Sequence, residues 1–240
     1  MRVAWDKRLK LMRISTYVII SIIIILLLFA AFTIYGNKVG NFVINVGRDS
    51  DVQLSLSDQP DLSKQTARLV YGSLTELTDS TYGWLPKDIA SQGLGNLSDN
   101  KTGMYMAYSF YLINNSVRSV DCDMVLHLLD TVGDPMGMIR IMLIEDERGT
   151  FDSANHIYAL EETSEERKAG LEDDLKTNHT FYNVEYFEDE ETLFSFQIMD
   201  FEAGAYRKYT IVAWLEGCDL DTVNANIGAR AKMQVDITGY

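Results

Sequence analysis

Nineteen consecutive residues, Tyr17 to Tyr35 (YVIISIIIILLLFAAFTIY), carry no charge. As a helix they would reach about 29 Å, close to the thickness of the hydrocarbon core of a bilayer. A soluble amphipathic helix keeps a polar stripe every three to four residues, whereas this run is apolar all round apart from Ser21, Thr33 and its terminal tyrosines. It predicts one N-terminal transmembrane helix over residues 17–35. The sixteen residues before it hold Arg2, Lys7, Arg8, Lys10 and Arg13 against Asp6, and the twenty after it hold only Lys38 and Arg48 as positive charges. That asymmetry predicts a basic cytoplasmic tail over residues 1–16 and an extracellular domain over residues 36–240. A cleaved signal peptide would need an apolar core of about 7 to 15 residues and a small residue near the cut, where Leu28 or Phe29 stands instead.

The formal net charge is −14. Five basic residues and one acidic residue give the tail +4, so the part beyond the apolar run carries −18. Such a domain repels the phosphate backbone, which excludes nucleic acid as a partner. Its acidity serves solubility, or binds divalent cations or cationic polymers. Only Asp219, Asp221, Asn224 and Asn226, in CDLDTVNANIG, are spaced like oxygen ligands around a loop. They are weak metal candidates, because the Gly at position 6 and the Glu at position 12 of a calcium-binding EF-hand loop are missing. Cys122 and Cys218 either close a disulfide loop of about 95 residues, nominally worth ~4 to 5 kcal/mol, or remain two buried thiols.

Beyond Gly40 the apolar pattern has a period of two. Phe42 to Val46 and Val52 to Leu56, separated by the turn-like GRDS, predict a strand pair that opens the domain. Ala67 to Leu77 predicts a strand followed by an irregular segment. Met104, Met106, Tyr108, Phe110 and Leu112 share one face of a strand, with Tyr105, Ala107, Ser109 and Tyr111 on the other. Val120, Cys122, Met124, Leu126 and Leu128 point inward on the next, with Asp121, Asp123 and His127 outward. In MIRIMLI (Met138 to Ile144), Arg140 shares a face with Met138 and Met142. An Arg on an apolar strand is an edge residue or half of an ion pair, and Glu216 is its expected partner. His156 to Leu160, Thr180 to Phe187 and Thr192 to Met199 predict further strands, separated by the charged stretch EETSEERKAGLEDDLK, which predicts a solvated loop or a single surface helix. Lys208 to Gly217 (KYTIVAWLEG) is apolar on both faces and predicts a central strand. Ala229 to Gly239 alternates, with Ala231, Met233, Val235 and Ile237 inward. Nine or ten strands with few helices predict an all-β ectodomain, a jelly-roll-like β-sandwich behind the transmembrane helix.

The runs YMAYSFYLINNS (Tyr105 to Ser116), GMIRIMLIEDERG (Gly137 to Gly149) and RKYTIVAWLEGCD (Arg207 to Asp219), with Gly228 and the final alternating strand, carry a resemblance. Over residues 36–240 the chain resembles N-terminally anchored surface proteins of Gram-positive bacteria similar to the TasA and camelysin jelly-roll type. The resemblance implies an extracellular β-sandwich that assembles into fibres by strand donation. Cys218 and Leu220 depart from the acidic residue and proline expected there, and the apolar run has no clean cleavage site of the kind that releases a matrix subunit.

Camelysin-type proteins imply a metal site, yet His127, His156 and His179 are far apart and no HExxH or HxxEH spacing occurs. There is no GxSxG or SxxK, and neither cysteine has a context that would activate it. The expectation is therefore a non-enzymatic, single-pass membrane protein with a structural or interaction role at the bacterial cell surface, without cofactor, open to self-assembly or a cell-envelope partner. The alternatives are a cation-dependent metalloprotease and a carbohydrate-binding module using aromatics such as Tyr105 and Tyr111. Glycosylation-like sequons at Asn96, Asn100, Asn114 and Asn178 are chance in a bacterial chain.

Overall fold

The computed structural model describes residues 17–27, 42–47, 51–71, 78–86, 88–89, 95–98, 103–133, 135–146, 155–161, 184–217, 227 and 229–240. The chain divides into two compact units, Met1–Gly40 and Asn41–Tyr240. In the first, residues 17–27 are helical, and the Ser21 hydroxyl donates to the Tyr17 carbonyl at 2.9 Å. Among the described residues no helix is long and apolar enough to cross a membrane. Residues 28–35 of the expected span, and the tail over residues 1–16, lie outside the described residues.

The second unit is mostly β. A five-stranded sheet holds β1 (Phe42–Val46), β3 (Arg68–Tyr71), β7 (Val120–Val132), β11 (Thr192–Phe201) and β13 (Arg230–Gly239), in the order β11-β7-β13-β1-β3. An eight-stranded sheet is built on β2 (Leu54–Ser57), β6 (Tyr105–Asn114), β8 (Ile139–Asp146), β9 (Asn155–Ala159), β10 (Val184–Tyr186) and β12 (Tyr206–Glu216), in the order β10-β9-β8-β12-β6-β2. Two short strands complete it: β4 (Asp79–Ser80) extends the β6 side of β12, and β5 (Gly95–Ser98) extends the β2 side of β6. Both sheets are mixed, since β1 runs parallel to β13, β10 to β9 and β4 to β12.

The inner faces of the two sheets share one core. Phe42 stacks on Tyr108 with ring centroids 4.3 Å apart, and Tyr71 lies 4.8 Å from Tyr108. Tyr158 of the larger sheet stacks on Phe194 of the smaller at 4.6 Å. The alternation read in β7 and β13 is the cause: Cys122, Met124 and Leu126, with Met233, Val235 and Ile237, are buried, while their odd-numbered and even-numbered neighbours respectively reach solvent. Central β12 lies between β6 and β8. Its Tyr209, Ile211 and Ala213 enter the shared core, and its Val212 and Trp214 enter a second cluster on the opposite face. There they meet Met142, Ile144, Ile157, Tyr105 and Ala107, together with Tyr82, Leu85 and Ile89 from the segment after β4. A strand covered on both sides needs apolar residues at every position.

Several expectations are corrected. Phe42–Val46 and Leu54–Ser57 are both strands, but they do not pair: β1 lies between β13 and β3, and β2 joins β6 in the other sheet. Both are buried along nearly their whole length, so each needs cover on two faces, and opposite sheets supply it. The described residues hold thirteen strands, more than the nine or ten expected. Two that no expected strand covers are β4 and β5, of two and four residues, too short for a period to register. The strand expected over 67–77 is the four-residue β3, and that expected over 180–187 is described as Val184–Tyr186. Met104 packs against the second cluster, away from Met106 and Tyr108. The charged stretch 162–176 lies outside the described residues.

Gly239, at the end of β13, packs so closely that a Cβ there would stand 2.6 Å from Val52 Cγ1 and 3.1 Å from Leu54 Cδ1. Gly239→Ala is expected to lower unfolding stability by about 1 to 3 kcal/mol in urea titration, through overpacking.

Candidate functional site

The outward-facing residues of the five-stranded sheet include a hydrogen-bonded polar group, set among Val43, Val70 and Val125. Strand register lines up Ser195, Val125, Asp236, Asn45 and Arg68 across all five strands. Asp236 is the hub of that group. Asn45 Nδ2 donates to Asp236 Oδ1 at 3.0 Å, and Gln234 Nε2 donates to Oδ1 and Oδ2 at 3.0 and 2.9 Å. His127 Nε2 lies 3.8 Å from Oδ2, and both side chains remain more than a third exposed. One register step toward the C-terminus, Gln197 Nε2 donates to the Tyr240 hydroxyl at 2.8 Å, which donates to Asp123 Oδ1 at 3.4 Å. A ligand meeting this face finds amide, carboxylate, imidazole and phenol groups already held by their neighbours, so little side-chain entropy remains to be lost.

On the outer face of the larger sheet, Arg140 (5% exposed) and Glu216 (0%) are both buried, and Arg140 is paired in register with Trp214. Arg140 Nη1 donates to the carbonyls of Gly137 at 2.7 Å and Ile139 at 3.3 Å. Trp214 Nε1 donates to Glu216 Oε2 at 3.0 Å. The two expected partners thus share one face of neighbouring strands, Arg140 opposite Trp214 and Glu216 two residues beyond Trp214 on β12. Glu216 is closed to solvent, and its carboxylate is met by the Trp214 indole within the cluster.

A second charged group was missed by the sequence reading. Arg207 Nη1 donates to Glu145 Oε1 at 3.0 Å, the Tyr209 hydroxyl donates to the same oxygen at 3.1 Å, and the guanidinium lies 5.4 Å from the centre of the Phe201 ring. Arg207 Nη2 also donates to the Met199 carbonyl at 3.3 Å, which ties the larger sheet to β11. The signal was parity: Glu145 follows Ile141 and Leu143, and Arg207 precedes Tyr209 and Ile211, on inward-facing positions. Burial pushes the Tyr209 phenol well above its ordinary pKa, aided by the Glu145 charge.

Asp219, Asp221, Asn224, Asn226, Cys218 and His179 lie outside the described residues. Among the described residues no three His, Cys, Asp or Glu side chains gather as a metal site. His156 Nδ1 meets Glu185 Oε1 at 2.9 Å on the larger sheet, whereas His127 lies on the smaller one. Cys122 is a buried free thiol, its pKa pushed up to about 11 by burial and then by Asp121 and Asp123. Asn114, a sequon residue, is fully buried, and its amide donates to the carbonyls of Arg118, Phe201 and Glu202 at 3.0, 2.8 and 3.1 Å. A sugar on Asn114 is incompatible with that packing. Tyr105 is buried in the second cluster, and Tyr111 makes an edge contact with exposed Tyr206, so no line of exposed aromatics runs through them.

Comparison with protein-family models, with curated proteins and with solved structures finds no match.

Trp214→Phe removes a donor to a buried carboxylate and is expected to cost about 1.5 to 3 kcal/mol beyond the lost ring area. A double-mutant cycle with Glu216→Met, which removes the acceptor, should show coupling when read by urea titration; purely additive effects would contradict the hydrogen bond. In a Cys218→Ser variant, Cys122 should resist iodoacetamide at neutral pH and react with one equivalent only in denaturant, because the folded thiol stays protonated.

Proposed function

We propose that the chain is a membrane-anchored, non-enzymatic interaction module of the bacterial cell surface, binding a polar partner of the cell envelope. The hydrogen-bonded group around Asp236 carries this reading. It is partly exposed and central to its sheet, as a surface for an extended hydroxyl- or amide-rich polymer needs to be. The charge-free run at residues 17–35 with its basic flank supports anchoring with the β unit outside. The resemblance to the TasA and camelysin type supports the same placement. A jelly-roll-like sandwich fits the way the chain crosses between sheets from β6 to β7, β7 to β8, β11 to β12 and β12 to β13.

Full-length protein recovered from its native membrane should keep an intact N-terminus by mass and should cosediment with isolated envelope polymer. Asp236→Ala, which releases Asn45, Gln234 and His127 together, should weaken that cosedimentation about tenfold or more at unchanged circular dichroism, from loss of about 1.4 kcal/mol or more. Loss of the first 30 to 36 residues, or binding indifferent to the substitution, would overturn the proposal.

A further inference from the structure

The β unit has two ends, and the chain enters it at one of them. Phe42 opens β1 opposite Met233, Val132 closes β7 opposite Arg230, and Leu215 near the end of β12 pairs with both Ile139 and Asp79. Exposed apolar side chains collect at this end. Leu129 and Val132 lie at the end of β7, Ile227 three residues before β13, and Leu160 directly after β9; they are 48, 57, 81 and 43% exposed. Trp84 is 66% exposed. It follows β4 and closes the turn Tyr82–Trp84, whose Tyr82 ring lies 6.1 Å from Trp214 near the end of β12. The opposite end exposes Val117 and Met199 and two phenols, Tyr206 and Tyr240. Those rings are already engaged, Tyr206 with Tyr111 and the Tyr240 hydroxyl with Gln197 and Asp123.

We infer that the end of the β unit carrying Trp84, Leu129, Val132, Leu160 and Ile227 is a lipid-docking surface that rests in the interfacial layer of a bilayer. The inference rests on the anchored reading above. Only Gly36 to Gly40 separate the apolar run from Asn41, and fully extended they reach at most about 18 Å. An anchored chain therefore holds the end at which β1 begins within a short distance of lipid. Tryptophan is the side chain that membrane interfaces favour, its ring apolar and its N–H wet. Four aliphatic side chains and a tryptophan left in water at one end of an acidic unit lose unfavourable hydration on entering that layer. The net charge of −18 beyond the run opposes docking on an anionic surface, so the docking is apolar and the lipid zwitterionic.

The test is quenching by brominated phosphatidylcholine of the full chain reconstituted in nanodiscs. Trp5→Phe leaves Trp84 and buried Trp214, and subtracting the Trp5→Phe/Trp84→Phe signal isolates Trp84. Bromine at interfacial depth should remove about half of the Trp84 emission or more, whatever the salt concentration. Two further probes in the double-variant background separate the failures. Phe29→Trp reports the apolar run: if it escapes quenching, the anchored reading falls and this inference with it. If Phe29→Trp is quenched and Trp84 is not, docking alone is overturned. Tyr206→Trp at the opposite end should stay unquenched, and quenching equal to that of Trp84 would overturn docking by one end.

Discussion

The structure of the β unit depends on one strand that is buried on both faces. β12 makes its backbone hydrogen bonds to β6 and β8, and its side chains alternate between two separate apolar clusters. A strand in that position leaves no face for water, so each side must be roofed. The five-stranded sheet roofs one side, and the segment carrying Tyr82, Leu85 and Ile89 contributes to the cover on the other. The three-layered character of the unit around β12 follows from that need. So does the burial of Arg140 and Glu216, which flank the apolar residues of the outer cluster and must find polar partners within it, as the bonds to Gly137, Ile139 and Trp214 provide.

The faces of strands were legible in the sequence and their partners were not. Side-chain parity is a local property of an extended chain, so the inward residues of β6, β7, β12 and β13 could be read directly. Pairing is settled by which surfaces need cover. GRDS looked like a hairpin turn between two strands, yet β1 finds β13, nearly the whole β unit away in sequence, and β2 finds β6. Nothing in either short run distinguishes those alternatives, because both strands are apolar or small at nearly every position. The Glu145–Arg207–Tyr209 group shows an intermediate case. Its members' parity was readable, and their meeting depended on the register of β8 against β12.

The polar group of the smaller sheet has the same history. His127, Gln234 and Asp236 were read as outward, and Asn45 lay unremarked in a strand taken to pair elsewhere. Only the parallel pairing of β1 with β13, which sets Asn45 opposite Asp236, makes the carboxylate a hub. The geometry of this group is a product of topology, assembled from residues about 190 positions apart.

Two carboxylates held by neighbouring side chains differ in exposure. Glu216 is hidden completely and accepts from the indole of Trp214; meeting a partner would require opening a cluster that holds Tyr82, Trp214 and Ile157 together. Asp236 is held as firmly, by Asn45 and Gln234, but more than a third of its side chain meets solvent. A buried carboxylate spends its hydrogen-bonding capacity on stability. A carboxylate fixed at the surface keeps part of that capacity for another molecule at no cost in reorganisation. The buried carboxylate lies on the large sheet and the solvent-facing one on the outer face of the small sheet, and only the latter can be met by another molecule without opening a cluster.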